Sequence, residues 1–240
     1  MEITFSDAIE NSLKGRLQRR GTNKNYFFRI IGSSDDYYEN LRTLKKETEK
    51  TQSLVLFETD IIDTIKLQDD YNTLFKDLRQ EIGPELIEPK SGRTRIRDLN
   101  KADITVCDDK DINQMFRKAL NKTVNIAFKL EQFTIPSQQE KLTLDLIIKF
   151  YLTIVQNHPE LLQTGKNEVP KCIYYGKIKR NDIYFLILLY FFDFDVFYIN
   201  PRSDQISMII EQAVDDSYVC KGKRTENIES FEVKLGKWVI

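Results

Sequence analysis

Histidine and cysteine are scarce in this chain of 240 residues. His158 is the one histidine, and the three cysteines, Cys107, Cys172 and Cys220, are far apart and form no CxxC pair. A disulfide framework and a conventional zinc cluster both need more of these residues at closer spacing. The sequence therefore predicts no metal site and favours a reducing, cytoplasmic location.

Signatures of catalysis and of cofactor binding are absent as well. The chain contains no GxGxxG, no Walker A pattern, no GxSxG and no HExxH. His158 lies in "QNHPEL", where no nearby residue supplies a nucleophile for it to activate. We interpret it as structural or solvated, and the sequence identifies neither a cofactor nor a reaction.

Long hydrophobic runs are also missing. The longest uninterrupted apolar run is residues 183–192, about half of the ~20 residues that cross a bilayer, and Asp193 and Asp195 follow it. The amino terminus, "MEITFSDAIENSLKGRLQRR", has early acids and no apolar centre, unlike a signal peptide. We therefore predict no membrane span.

The charges of the chain nearly cancel. With 36 basic and 37 acidic residues, the net charge of -1 offers no overall attraction to nucleic acid, so nucleic acid is not an expected partner. The segment at residues 14–29, "KGRLQRRGTNKNYFFR", is basic throughout. It suits either RNA or a phosphorylated ligand, or it is a solvated helix end, and both interpretations stay open.

The most apolar part of the chain is residues 171–204. It divides into "CIYYG", "RNDIYFLILLYFF" and "DVFYINP", which indicate a strand, a buried helix and a second strand. Strands that are apolar on both faces are typical of a parallel sheet covered by helices. We expect strands at 172–176 and 196–200 to pair in parallel, with the helix near Asn181 between them.

A similar order of elements occurs near the start of the chain. The segment "NYFFRIIGSSDDYYENLRTLKKETEK" predicts a strand at 26–31, a loop, and a helix from about Asp35. Helical periodicity follows in "DDYNTLFKDLRQEI", "DKDINQMFRKALNKTVNIAFKL" and residues 137–156, with a loop at 83–95. We predict a Rossmann-like α/β protein with a parallel sheet and covering helices. Residues 1–165 would form a first lobe with a helical insert, and 166–240 the start of a second, incomplete lobe.

Two glycine loops follow strands and precede helices in this interpretation. Ligands of open parallel sheets bind beyond the carboxyl ends of strands, where helix N-termini attract anions. The predicted ligand-binding residues are therefore Gly32, Ser33, Ser34, Gly176, Lys177, Lys179 and Arg180. Asp60, at the end of "SLVLFETD", is the candidate base or metal ligand. Any βα turn also needs glycine and polar residues, so a purely structural role for both loops stays open.

The order of "YYGKI", a basic helix start, "YFLILL" and "DVFYINP" resembles the YceG-like family. That family is described as a component of a "biosynthetic module" in tellurium-resistance (Ter) gene neighbourhoods, beside toxic-anion resistance proteins of the TelA type. The segment "RRGTNKNYFFRIIG" also looks like the front end of the family. The resemblance implies a cytoplasmic bacterial protein of the tellurite or stress response, and it supplies no catalytic residues.

Three functional hypotheses remain. The first is a site between two α/β lobes for a phosphorylated or nucleotide-like small molecule, in a protein associated with tellurite resistance. The second is a glycosyltransferase-like enzyme, because two such lobes suit a sugar nucleotide. The third is a non-enzymatic interaction module that docks a TelA-type partner through an aromatic surface.

Overall fold

The computed structural model describes residues 1–14, 25–50, 54–58, 60–62, 68–81, 87–90, 93–96, 99–101, 104–132, 135–162, 169–202, 204, 208–215, 217–227 and 235. The strands in these ranges are β1 (Phe27–Ile31), β2 (Leu54–Phe57), β3 (Ile87–Lys90), β4 (Arg93–Ile96), β5 (Lys171–Tyr175), β6 (Asp195–Asn200) and β7 (Ser217–Lys221). The α-helices are α1 (Phe5–Leu13), α2 (Tyr37–Thr48), α3 (Gln68–Glu81), α4 (Lys110–Glu131), α5 (Pro136–Leu152), α6 (Arg180–Phe191) and α7 (Met208–Ala213).

Five of these strands form one parallel sheet in the order β2-β5-β6-β1-β7. The predicted pairing of the apolar region is confirmed, because β5 and β6 are neighbours with Cys172 opposite Val196. Every residue of both strands is buried, as expected for strands covered on two faces. The architecture is the predicted Rossmann-like α/β fold.

Helices cover both faces of the sheet. Leu41 and Leu44 of α2 pack in one cluster with α1 and with the side chains of β1 that alternate through Phe28 and Ile30. On the opposite face, Phe27 meets Tyr190 of α6 with ring centroids 6.2 Å apart. The apolar run that the sequence marks as a buried helix is therefore the core of this second layer, and its side chains at 183–190 are all buried.

No helix in the described part of the chain is long and apolar enough to cross a membrane.

The predicted lobe boundary near residue 165 differs from the observed division. The chain forms two compact units, one made of Met1–Asp60 with Gln163–Ile240 and the other of Ile61–Leu162. Strands from both predicted lobes lie in a single sheet, because β2 pairs with β5 and β1 pairs with β6. Such pairings join residues more than 100 positions apart, which local sequence patterns do not reveal.

The unit Ile61–Leu162 contains α3, α4 and α5 close to their predicted bounds, followed by a π-helical turn at Thr153–Asn157. The loop predicted at 83–95 was wrong in part, because it includes the antiparallel strands β3 and β4. Pro89 lies in β3, which pairs on one side only in this two-stranded sheet. A proline is tolerated there because an open edge demands no ladder donor.

The segment "SDQISMIIEQAVDD" after Pro201, whose pattern predicts a short helix, contains α7, whereas β7 was not predicted. β7 is short and pairs with β1, far away in sequence. The alternation in "SFEVKLGKWVI", residues 230–240, predicts a strand, which lies outside the described residues except for Leu235. The basic residues 15–24 also lie outside them, while Arg29 is buried in β1 and binds Glu211 of α7.

A buried ion pair lies at the amino edge of the sheet. Lys171 opens β5 and Asp195 opens β6, directly opposite each other, with 3.4 Å between Nζ and Oδ2. The Lys171 ammonium also donates to the Ser12 carbonyl at 2.7 Å, and the other Asp195 oxygen accepts the Tyr26 N–H at 2.9 Å. Asp195 begins its strand at the amino end, the end that faces away from ligands in open α/β sheets.

Lys171→Met should lower the free energy of unfolding by about 3–5 kcal/mol, because the Asp195 carboxylate stays buried without its ammonium partner. Urea unfolding followed by circular dichroism measures the loss. The double variant Lys171→Met/Asp195→Asn should recover much of it, because the amide oxygen can still accept from Tyr26. Lys50→Met breaks the exposed pair with Glu47 and is the matched control, with an expected change of about 0–1 kcal/mol. Equal losses at Lys171 and Lys50 would contradict the structural role of the buried pair.

Candidate ligand site at the carboxyl edge of the sheet

The connections leaving β1 and β6 run in opposite directions. The chain passes from β1 through α2 to β2 at one end of the sheet, and from β6 through α7 to β7 beyond β1. Helices α2 and α7 accordingly lie on opposite faces, α2 beside Phe28 and α7 beside Arg29. Ligands of open α/β sheets bind where neighbouring connections diverge in this way. The crevice between β1 and β6 is therefore the geometric candidate for a site.

The first predicted loop, Gly32 to Ser34, follows β1 at this crevice, and much of its hydrogen-bonding capacity is used within the chain. The Gly32 N–H donates to the Asn200 carbonyl at 2.8 Å, and the Ser33 N–H donates to the Arg224 carbonyl at 2.8 Å. The Ser34 hydroxyl donates to the Asp36 carboxylate. The Ser33 hydroxyl differs, because it is buried and has no hydrogen-bond partner among the described residues.

Charge at the start of α2 is negative. Asp36 is the N-cap residue, and its hydrogen bond from Ser34 lowers the pKa of the Asp36 carboxyl, so the group is ionised at neutral pH. Tyr37 follows, almost fully buried, and this burial raises the pKa of its hydroxyl. A carboxylate at the helix N-terminus supplies the charge that an anionic ligand would otherwise bring. The negative charge of Asp36 thus already offsets the positive end of the α2 dipole.

The second predicted loop, residues 176–180, follows β5 and is more open. Gly176 has φ of 127° and donates its N–H to the Ile199 carbonyl at 2.9 Å, while the Tyr174 hydroxyl donates to the Lys177 carbonyl at 2.9 Å. Lys177, Lys179 and Arg180 are exposed. Helix α6 starts after Lys179 without a side-chain cap. The loop therefore presents cations at a helix N-terminus, as predicted from the sequence.

Asp60 joins this second loop. Its carboxylate forms an ion pair with the Lys179 ammonium, and that hydrogen bond raises the pKa of Lys179. The contact arises because β2, which precedes Asp60, is the sheet neighbour of β5. Asp60 and Lys179 are thus brought together, although nothing in the sequence pairs them.

A polar cluster at the end of β6 was missed by the sequence interpretation. The Tyr198 hydroxyl donates to the Asp204 carboxylate and accepts from the Asn200 side-chain amide at 2.9 Å, while Asn200 Oδ1 accepts the Arg202 N–H at 2.9 Å. Burial, followed by the Asp204 bond, raises the pKa of Tyr198. The sequence signal that could have revealed this cluster is the asparagine before a proline at the carboxyl end of the strand, in "FYINP".

The predicted residues thus share one edge of the sheet without forming one cluster. Their strands β5 and β1 flank β6, so the two loops start about 10 Å apart, twice the spacing of neighbouring strands. Asn200 and Arg202 follow the strand between them. A ligand longer than a single phosphate could contact both loops along this edge.

The described part of this edge contains no recognisable catalytic constellation. His158 lies in the other unit, where its Nδ1 is 2.8 Å from Glu160 Oε1. Among the residues that the structure describes, no three His, Cys, Asp or Glu side chains converge as metal ligands. The described residues of the edge offer cations, amide groups and buried hydroxyls to a polar ligand.

A parallel sheet covered on both faces, with polar loops at its carboxyl edge, defines a Rossmann-like α/β protein. The model of the YceG domain family matches residues 9–237, and the chain belongs to that family. No curated protein and no solved structure matches the chain.

Gly32→Ala should lower the free energy of unfolding by about 1–3 kcal/mol. Gly32 has φ of +77°, and an added Cβ would lie 2.8 Å from the Arg224 carbonyl oxygen. Urea unfolding measures the change, with Thr225→Ala, at an exposed residue nearby, as a control within about 0.5 kcal/mol of wild type. A Gly32→Ala variant as stable as wild type would show that the loop is not held in this conformation in solution.

Proposed function

We propose that this YceG-domain protein binds a phosphorylated or nucleotide-like small molecule at the carboxyl edge of its parallel sheet. The observation that carries the proposal is the start of α6, where Lys177, Lys179 and Arg180 are exposed around a helix N-terminus that no side chain caps. Unpaired N–H groups and the helix dipole favour an anion there, and the three cations add to that preference.

Two details of the loop support an anionic ligand. The Lys177 ammonium has no charged partner in the described part of the chain. The Lys179 ammonium already holds a carboxylate, that of Asp60, and both side chains of this pair are largely exposed. Exposed ion pairs are weak because water screens them, so a phosphate can compete with Asp60 for the same ammonium.

The biological setting is part of the same proposal. The protein would act in the bacterial cytoplasm within the "biosynthetic module" of the tellurite and stress response, with a small metabolite as its ligand. Membership of the YceG domain family supports this setting. Asp60 would position the ligand or act as a base, because it lies beside Lys179 at the end of β2.

The two rival functions find less support. A glycosyltransferase-like activity needs a sugar nucleotide and a catalytic group, and Asp60 is the one predicted candidate for that role. Docking of a TelA-type partner was expected to use an aromatic surface. The aromatic side chains at 184, 185 and 190 are buried, however, and the exposed large apolar residues among those described are Met1, Leu13, Tyr38, Ile135 and Met208.

Arg180→Glu should remove most of the stabilisation that ADP gives the wild-type protein in a thermal-shift titration, because the reversal puts a negative charge at the anion-binding helix start. Wild type should gain several degrees when ADP is present at about 100 times its dissociation constant. Added salt should reduce the gain, because it screens the charges.

Lys110→Glu is the matched control for this experiment. Lys110 is exposed and is the first residue of α4, as Arg180 is of α6, so both substitutions change the net charge by the same amount. Inorganic phosphate and UDP-glucose form parallel arms, and a response to UDP-glucose alone would favour the glycosyltransferase-like alternative. Absence of any shift in wild type, or equal losses in both variants, would refute the proposed anion site.

A further inference from the structure

We infer that residues 222–227 form a displaceable strap that occludes a second phosphate-binding end of this site, at the crevice between β1 and β6. The inference rests on the proposed function and adds its regulation: the ligand binds the crevice only when the strap is released. Ser33, Arg202 and Arg224 become the groups that recognise a phosphate there.

The strap runs directly across the carboxyl ends of β1 and β6. Its Gly222 N–H donates to the Ile31 carbonyl at 2.7 Å, and its Glu226 N–H donates to the Pro201 carbonyl at 2.9 Å. Between these points, Arg224 and Ser33 exchange two backbone hydrogen bonds of 2.8 and 3.1 Å. The segment therefore bridges the two diverging connections that define the crevice.

The groups beneath the strap are those that a ligand would use. The Arg224 carbonyl oxygen accepts the Ser33 N–H, and thus takes the position that an acceptor oxygen of a ligand would fill. The Ser33 side chain is 1% exposed, and its hydroxyl has no hydrogen-bond partner among the described residues. A buried hydroxyl without a partner is costly, so its position calls for an explanation.

The strap is held by backbone hydrogen bonds and by polar side-chain contacts at the surface. Its six residues, "GKRTEN", include no apolar side chain that could anchor it in the core. Its side-chain contacts lie at the surface, as in the Arg224–Asp35 ion pair, where the two side chains are 72% and 88% exposed. Segments with few buried apolar contacts open locally at far lower cost than the whole fold.

Release of the strap exposes a site of defined chemistry. The Ser33 N–H loses its Arg224 acceptor, and Arg202 loses its 2.8 Å contact with Asn227. Together with Arg224, these groups are donors suited to the oxygens of a phosphate. Because the start of α6 lies about 10 Å away, two strands along the sheet, a nucleoside diphosphate such as ADP is a ligand of suitable length.

Hydrogen exchange tests whether the strap opens. The amides of Gly222, Arg224 and Glu226 should exchange about 100-fold faster or more than those of Phe197 and Ile199 in β6, because they open without global unfolding. Saturating ADP should accelerate them further while the Ser33 amide slows. Exchange as slow as in β6, or slower with ADP, would overturn the inference, because the strap would then be fixed or would close over the ligand.

Binding measured by calorimetry tests whether the strap occludes the site. Gly222→Ala should bind ADP about tenfold more tightly than wild type, because an added Cβ would lie 2.3 Å from the Ser33 nitrogen and unseat the strap. Tyr38→Phe is a second variant that spares the fold, and it removes the hydrogen bond to the Glu226 carboxylate. It should tighten binding about two- to threefold. Thr225→Ala, within the strap, should leave the affinity unchanged.

The outcomes separate the strap from the proposed function. If Arg180→Glu weakens ADP binding while Gly222→Ala and Tyr38→Phe do not change it, the anion site stands and the strap inference is wrong. If only the strap variants bind ADP, the crevice is a latent site and the inference is supported. If neither wild type nor any strap variant binds ADP, inorganic phosphate or UDP-glucose, the proposed function fails and the ligand role of the strap fails with it.

Discussion

The buried pair of Lys171 and Asp195 sets the register on which the rest of the sheet depends. The two residues lie opposite each other at the first positions of β5 and β6, and Asp195 also holds the Tyr26 amide just before β1. A slip by one residue would leave two charges without partners in the interior and would turn each side chain to the wrong face. With the amino ends of three adjacent strands aligned in this way, their carboxyl ends are aligned as well. The loops at 32–34, 176–180 and 200–202 consequently emerge along one edge.

The same sheet keeps its two edges chemically distinct. At the amino edge, opposite charges are buried together and form hydrogen bonds with backbone groups. At the carboxyl edge, the cations at 177, 179 and 180 are exposed, and Lys179 forms an ion pair with Asp60. The connections after β1 and β6 run in opposite directions, and this creates a crevice at that edge. Residues 222–227 cross the crevice. The crevice, the exposed cations and the segment that crosses the crevice all lie at the carboxyl edge of the sheet. Their shared location is the basis of the functional proposal.

The sequence was most informative where structure is local. The apolar strands around residues 173 and 198 and the helix between them follow from periodicity, because their partners are close in the chain. The placement of Gly32, Gly176 and Asp60 at strand ends followed from the general rule for parallel sheets. The order of the strands, the pairing of Asp60 with Lys179 and the strap could not be predicted. Each of them joins residues more than 100 positions apart through backbone hydrogen bonds or exposed charges, which leave no periodic pattern in the sequence.

The most direct test of the account is an amide chemical-shift titration of the isotope-labelled protein with ADP. The account predicts the largest changes at residues 176–182 and at Ser33 and Ser34. It predicts little change at the amino edge, where Asp195 is buried, and little along α4 in the other unit. Changes confined to α4 or to the amino edge would contradict a ligand site at the carboxyl edge. A spectrum unchanged at millimolar ADP would contradict it as well.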